Sequence, residues 1–222
     1  MKIVAIIGSP HGMAGNTGRL LEEVLTGVEQ GGGEIEVISI PEMRVEPCKS
    51  CDICHNTGSC PTDDNFEMIK CKLLACDGFI LASPNYIHSV TAQMKALFDR
   101  SVGIIHLVEL EGKYGAVVET SGSGDDEAVV RYMERFINTV GAQSAGGVGS
   151  GMAGFRTFPE EATLFAKANE LGRELCLSVQ EKRHFPEQDA YRNAFKARMQ
   201  SLVEYRKNEW VYESKYWETR SQ

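Results

Sequence analysis

The 222-residue sequence has no apolar run long enough to span a membrane, so no membrane partner is expected. It also lacks a positive charge excess. Lys and Arg number 23 against 31 Asp and Glu, a net of −8, which argues against nucleic acid and anionic lipid as partners. The loop after the first strand-like run, "GSPHGMAGNTGRLL", carries neither a Walker Gly-Lys-Ser/Thr nor a G-x-G-x-x-G, the two commonest nucleotide loops. The opening "MKIVAIIGSP" lacks the long apolar region and cleavage site of a secretion signal and reads as a first strand. With no export signal, a cytoplasmic, reducing setting is expected, where persistent disulfides are rare.

What is present begins with cysteine. Four of the seven lie in "CKSCDICHNTGSCP", residues 48–61, spaced C-x2-C-x2-C-x5-C-P. Zinc could use four thiolates, but structural zinc sites usually pair two C-x2-C units across a longer stretch. Three cysteines in consecutive x2 steps favour a cubane, close to but not equal to the ferredoxin run. Cys71, Cys76 and Cys176 fall in apolar contexts and read as small buried hydrophobes. His55 reads as a solvated loop residue, and His11, His106 and His184 carry no separate signal.

Strand-like and helix-like patterns alternate along the rest. "KIVAII" (2–7), "EIEVISI" (34–40), "DGFILASP" (77–84) and "YGAVVETS" (114–121) predict strands, and "AQSAGGVG" (142–149) a poor fifth, rich in glycine. Helices are predicted from Leu20 to the Gly31–Gly33 stop and over 63–74, 92–102, 127–140 and 160–179. Such alternation builds an α/β doubly wound parallel sheet. Five units match the flavodoxin-like order 2-1-3-4-5, with ligands at the strand carboxyl ends. The cysteine-rich loop, 44–64, then follows strand two.

Three loops share that carboxyl edge. "GSPHGMAGNTGRLL" offers Ser9, Gly15, Asn16 and Thr17 ahead of a helix N-terminus, a setting for phosphate or simply a capped helix. "SPNYIHS" and "TSGSGDDE" follow strands three and four, and the first brings an aromatic ring. Together they suit a ligand with a phosphate at one end and a planar ring at the other.

The pattern "GSP…GNT", "SPNY…S…AQMKALFDR" and "TSGSG" resembles the NADPH-dependent FMN reductase group of flavodoxin-like proteins over roughly residues 1–180. That resemblance implies FMN. Ser9, Gly15, Asn16 and Thr17 would hold its phosphate, Pro84, Asn85, Tyr86 and His88 would border its ring, and Ser121, Gly122 and Gly124 would face it from the far side. Lys95, Asp99 and Arg100 match positions read as structural. Within the group, the four-cysteine element resembles that of the iron–sulfur flavoproteins, implying a [4Fe–4S] cluster on Cys48, Cys51, Cys54 and Cys60. Asp63 and Asp64 read as caps of the next helix.

The implied function is an FMN-dependent electron-transfer oxidoreductase with no catalytic side chain required, since the flavin carries the reactive atom. Its donor would be NAD(P)H or a ferredoxin-like protein, and its acceptor a small molecule or a protein. An NAD(P)H-dependent FMN or quinone reductase without a cluster stays open, as does a non-enzymatic redox carrier or thiol sensor.

Residues 181–222 form a separate, aromatic extension. Tyr191, Phe195, Met199, Leu202 and Val203 share one helical face, followed by Trp210, Tyr212, Tyr216 and Trp217. Unpaired apolar faces usually find a partner. Residues 185–222 are therefore expected to form an oligomerisation arm in a homodimer or homotetramer. By the same resemblance, Phe155 and Arg156 could approach a partner's FMN.

Overall fold

A computed structural model describes residues 1–122, 124 and 126–220. Five strands, β1 (Lys2–Ile7), β2 (Glu34–Ser39), β3 (Gly78–Pro84), β4 (Tyr114–Ser121) and β5 (Gln143–Gly151), form one parallel sheet in the order β2-β1-β3-β4-β5. The order is the one expected. Residues of β1, β3 and β4 are almost entirely buried, as continuous apolar strands covered on both faces must be.

Each face carries its own core. Val4, Ile6, Phe79, Leu81 and Val117 point to one side, against α3 (Phe66–Ala75), α4 (Ala92–Arg100) and α6 (Asp126–Thr139). Ile3, Ala5, Ile80, Ala116 and Val118 point to the other, against α1 (Asn16–Gln30) and α7 (Glu161–Glu181). The alternation follows from the period-2 geometry of a strand.

The glycines that made β5 look weak are its packing surface. A Cβ at Gly147 would lie 2.6 Å from Val130 Cγ1, so α6 can approach this strand only where side chains are missing. The helix expected over 63–74 starts at Phe66, because Asp64 Oδ1 accepts the Phe66 N–H at 3.0 Å and the residues before it belong to the loop. The helix expected over 92–102 is divided at Ser101 into α4 and α5 (Val102–Leu107).

The extension folds onto its own chain. After α8 (Pro186–Tyr205) and α9 (Val211–Arg220), Phe195, Met199, Val203, Trp210 and Trp217 bury themselves with Leu107 and Val108 in a third core. The apolar face expected to serve a neighbouring subunit is thus covered within the chain, and both tryptophans are buried rather than presented. The reason is local. Leu107, at the end of α5, and Val108 belong to neither core that flanks the sheet, and the tail covers them. Among the described residues no helix is long and apolar enough to cross a membrane.

Candidate functional site

The loop after β1 turns through a short 3-10 segment, Gly12–Ala14, and delivers Gly15 at the N-terminus of α1. There the first backbone N–H groups of the helix have no intrahelical acceptor. Thr17 is buried, its Oγ1 2.7 Å from Thr120 Oγ1, which ties this loop to the end of β4. Ser9 is buried as well.

Across the sheet edge, Pro84, Asn85 and Tyr86 follow β3. Tyr86 is 49% exposed at the tip of a tight turn, bonded through its own N–H and carbonyl to Ser89 at 2.8 and 3.2 Å. Ile87 and His88 take left-handed backbone conformations, with φ of 50° and 60°. For a β-branched residue that is uncommon, and such strain concentrates at functional loops.

Ser9, Gly15, Asn16, Thr17, Pro84, Asn85, Tyr86, Ser121 and Gly122 line one cavity of about 550 Å³. Two expected members do not. His88 is exposed and is not part of the wall, and the Gly124 N–H donates to Ser121 Oγ at 2.9 Å. The sequence reading missed Met152, Ala153 and Gly154, and it assigned Phe155, 74% exposed, to a partner's site. These four line the cavity of their own chain. The signal was available in the topology, since the loop after β5 must open at the same edge. Arg156, also expected to reach a partner, is engaged at home: its guanidinium donates to Met13 O at 2.8 Å and to Glu22 Oε2 at 2.8 Å.

Among the described residues no Lys or Arg lines this cavity, so an anion there would rest on backbone N–H groups, hydroxyls and the helix dipole. The exposed rings of Tyr86 and Phe155 suit a flat, partly apolar group. One buried acid lies on β4, beside Asp126. Burial first, and then the neighbouring Asp126 carboxylate, push the Glu119 carboxyl up from 4.5 to about 9. A carboxyl held neutral by folding contributes stability below its ordinary value and loses it as pH rises toward 9. Glu119→Gln should therefore gain on the parent protein as pH rises from about 5 to about 9, by up to about 5 kcal/mol, read from urea midpoints across that range.

The four expected cysteines share a second cavity of about 340 Å³, lined by Cys48, Cys51, Cys54 and Cys60 with His55, Asp99 and Arg100. Cys48 and Cys51 are exposed, while Cys54 and Cys60 are half-buried, and no disulfide links them. Burial first, then the charges of Cys60, Glu213, Cys48 and Cys51, push the Cys54 thiol up to about 11. A half-buried thiol that resists ionisation with three further thiols around the same cavity fits a site completed by a positively charged metal centre.

The loop is anchored by charge. Arg100 forks onto Asp64 at 2.7 and 3.2 Å, both side chains buried, and also donates to Glu46 O at 2.9 Å. Burial acts to raise the Asp64 carboxyl, but Arg100 and the N–H groups of Glu46 and Phe66 outweigh it and hold it below the usual range. Glu67 Oε1 accepts the Cys60 N–H at 2.6 Å. Two sequence expectations are corrected here. Cys71 is exposed, on the outer face of α3, although Cys76 and Cys176 are buried as read. His55 is not solvated: it is 4% exposed and sits against Glu213 and Trp210, residues too distant in sequence to have been foreseen.

Residues 1–154 match the family described as NADPH-dependent FMN reductase. An iron-sulfur flavoprotein of Archaeoglobus fulgidus is 34% identical over 184 residues, covering 82% of each chain. Another of Methanocaldococcus jannaschii is 36% identical over 138 residues, covering 61% of this chain and 71% of that one. Among solved structures, a flavone reductase superposes with a TM-score of 0.61 at 19% identity, over 83% of this chain and 65% of that one, which speaks to the fold alone.

Proposed function

The chain belongs to the NADPH-dependent FMN reductase family and is a flavin oxidoreductase, and from that premise we propose that it is an electron-transfer enzyme using FMN and a [4Fe–4S] cluster. The observation that carries the reading is the presence of two distinct cavities in one chain. The strand-end loops line one, and all four thiols line the other. FMN supplies hydride, two-electron chemistry and the cluster supplies one-electron chemistry, so a protein holding both couples the two kinds of partner.

The protein's own residues bind and orient. Gly15, Asn16 and Thr17 present the N-terminus of α1 to a phosphate, and Ser9 adds a hydroxyl. Pro84, Asn85 and Tyr86 would border the ring, and Ser121 and Gly122 would face it. Met152 and Phe155 exclude water from the open lip. Cys48, Cys51, Cys54 and Cys60 would hold the cluster, and the buried Arg100 guanidinium beside Cys60 offsets its negative charge. The donor is NAD(P)H or a ferredoxin-like protein, and the acceptor a small molecule or a protein.

Titrating flavin-free protein with FMN and with riboflavin tests the phosphate cradle. FMN should bind at least about 100-fold more tightly, because several hydrogen bonds to a charged group are at stake. Equal affinity contradicts the reading. Thr17→Val, which removes the hydroxyl bonded to Thr120, should weaken FMN about tenfold and leave riboflavin nearly unchanged. Flavin bleaching on anaerobic mixing with NADH, NADPH or a reduced ferredoxin then identifies the donor.

A further inference from the structure

His55 and Glu213 are 158 residues apart in sequence, yet His55 Nδ1 lies 2.6 Å from Glu213 Oε1. The other carboxylate oxygen lies 3.0 Å from His106 Nδ1 on α5. Glu213 is 0% exposed, and Trp210 stacks on both imidazoles, with centroids 4.3 and 4.9 Å away. His55 belongs to α2 (Ile53–Thr57), the single helical turn inside the cysteine loop, and follows Cys54 directly.

Two further contacts join α9 to the same turn. Val211 N–H donates to Asn56 Oδ1 at 3.3 Å, and the Tyr212 ring covers Gly58, where a Cβ would lie 2.4 Å from the ring carbon Cζ. Gly58 has φ of +79°, so no side chain is tolerated there on either ground. Only one limb of the loop is held in this way. Lys70 also grips it, donating to Gly58 O at 2.7 Å, whereas Cys48 and Cys51 stand exposed on the other limb.

A buried carboxylate is costly unless both oxygens are paired, so its retention at a tail-to-loop contact calls for a positional role. The three side chains also have the composition of a metal site, with ligand atoms within 4.8 Å of one another. The imidazoles, however, stack 15° from parallel, and each takes its own carboxylate oxygen, which describes a hydrogen-bonded bridge rather than ligands converging on one ion.

We propose that α9 is a clasp for the cysteine loop, and that Glu213 is the positioning residue that fixes the limb bearing Cys54 and Cys60. The proposal rests on the cluster reading for its purpose and on the contacts above for its geometry. The C-terminal extension, outside the matched family region, thereby sets the rigidity of the metal-holding loop.

Hydrogen exchange on the full-length, metal-free protein tests the clasp without any cluster. Glu213→Ala should speed exchange in peptides covering residues 53–60 roughly tenfold, with α1 unchanged. Glu213→Gln, able to accept from one imidazole and donate to the other, should restore protection to within about threefold. On reconstituted protein, iron loss to a chelator should be about tenfold faster in Glu213→Ala and near normal in Glu213→Gln. Exchange over 53–60 within about twofold of the parent, or acceleration confined to 186–220, overturns the clasp. If the parent binds no iron, the cluster reading fails while the exchange result still decides the clasp. If Glu213→Ala also loosens α1, Tyr212→Ala replaces it, and the same two exchange results decide.

Discussion

Cys54→Ser should purify with less than about a tenth of the parent's iron and sulfide while keeping its FMN, because a cubane needs all four corners held. Cys54 is the informative position. It is half-buried on the anchored limb, and its thiol feels the other three. A serine hydroxyl ionises far less readily than a thiol and binds iron poorly. The matched control is Cys71→Ser. Cys71 is exposed on α3, does not line the thiol cavity, and should leave iron, sulfide and flavin unchanged. Anaerobic purification followed by colorimetric iron and sulfide assays reads both variants. Equal loss in the two would mean that metal content follows general thiol chemistry rather than this loop.

Asp64→Ala should destabilise the protein by about 3–5 kcal/mol, since it strands a buried guanidinium that is otherwise bidentate. In a domain of this size that corresponds to a fall of roughly 10 °C in the melting midpoint. Arg100 keeps Glu46 O, its contact with Cys60 and its stacking on Phe66, 4.6 Å from the ring centroid, but loses its paired carboxylate. Asp63→Ala, exposed and one residue away, should change stability by less than about 0.5 kcal/mol. The pH dependence has a defined sign. Asp64 is held below the usual carboxylate range, so its contribution is complete above the ordinary value and disappears as pH falls through the lowered one. The deficit of Asp64→Ala should accordingly be full at neutral pH and shrink in the acid range. Urea unfolding at about pH 7 and about pH 3 measures it, and a deficit independent of pH would separate Asp64 from the ion pair.

The cavity at the strand ends was legible because its signals are local and the topology supplies the rest. Ser9, Thr17, Tyr86 and Gly122 lie just beyond strands recognisable by composition, and parallel alternation brings every such loop to one edge. The loop after β5 was harder to read. Its strand is built of glycines that admit α6, and a requirement for close packing looks, in one dimension, like an absence of strand. Gly124 and His88 sit in two of these loops without lining the cavity, and both take positive φ, a backbone conformation that residue type leaves open. The cysteine spacing was visible, yet the Arg100–Asp64 fork beneath it was not, because Asp64 looked like an ordinary helix cap and in fact caps and pairs at once. The tail misled for a further reason. An apolar helical face reveals that something covers it, and only the fold of α5 reveals that the cover is the same chain.

The most direct measurement is chemical analysis of the full-length protein purified without oxygen, with iron, acid-labile sulfide, zinc and FMN counted per chain. About four iron, about four sulfide and about one FMN per chain are expected, with zinc absent. FMN together with one zinc and no sulfide, or FMN with no metal at all, would contradict the two-cofactor assignment.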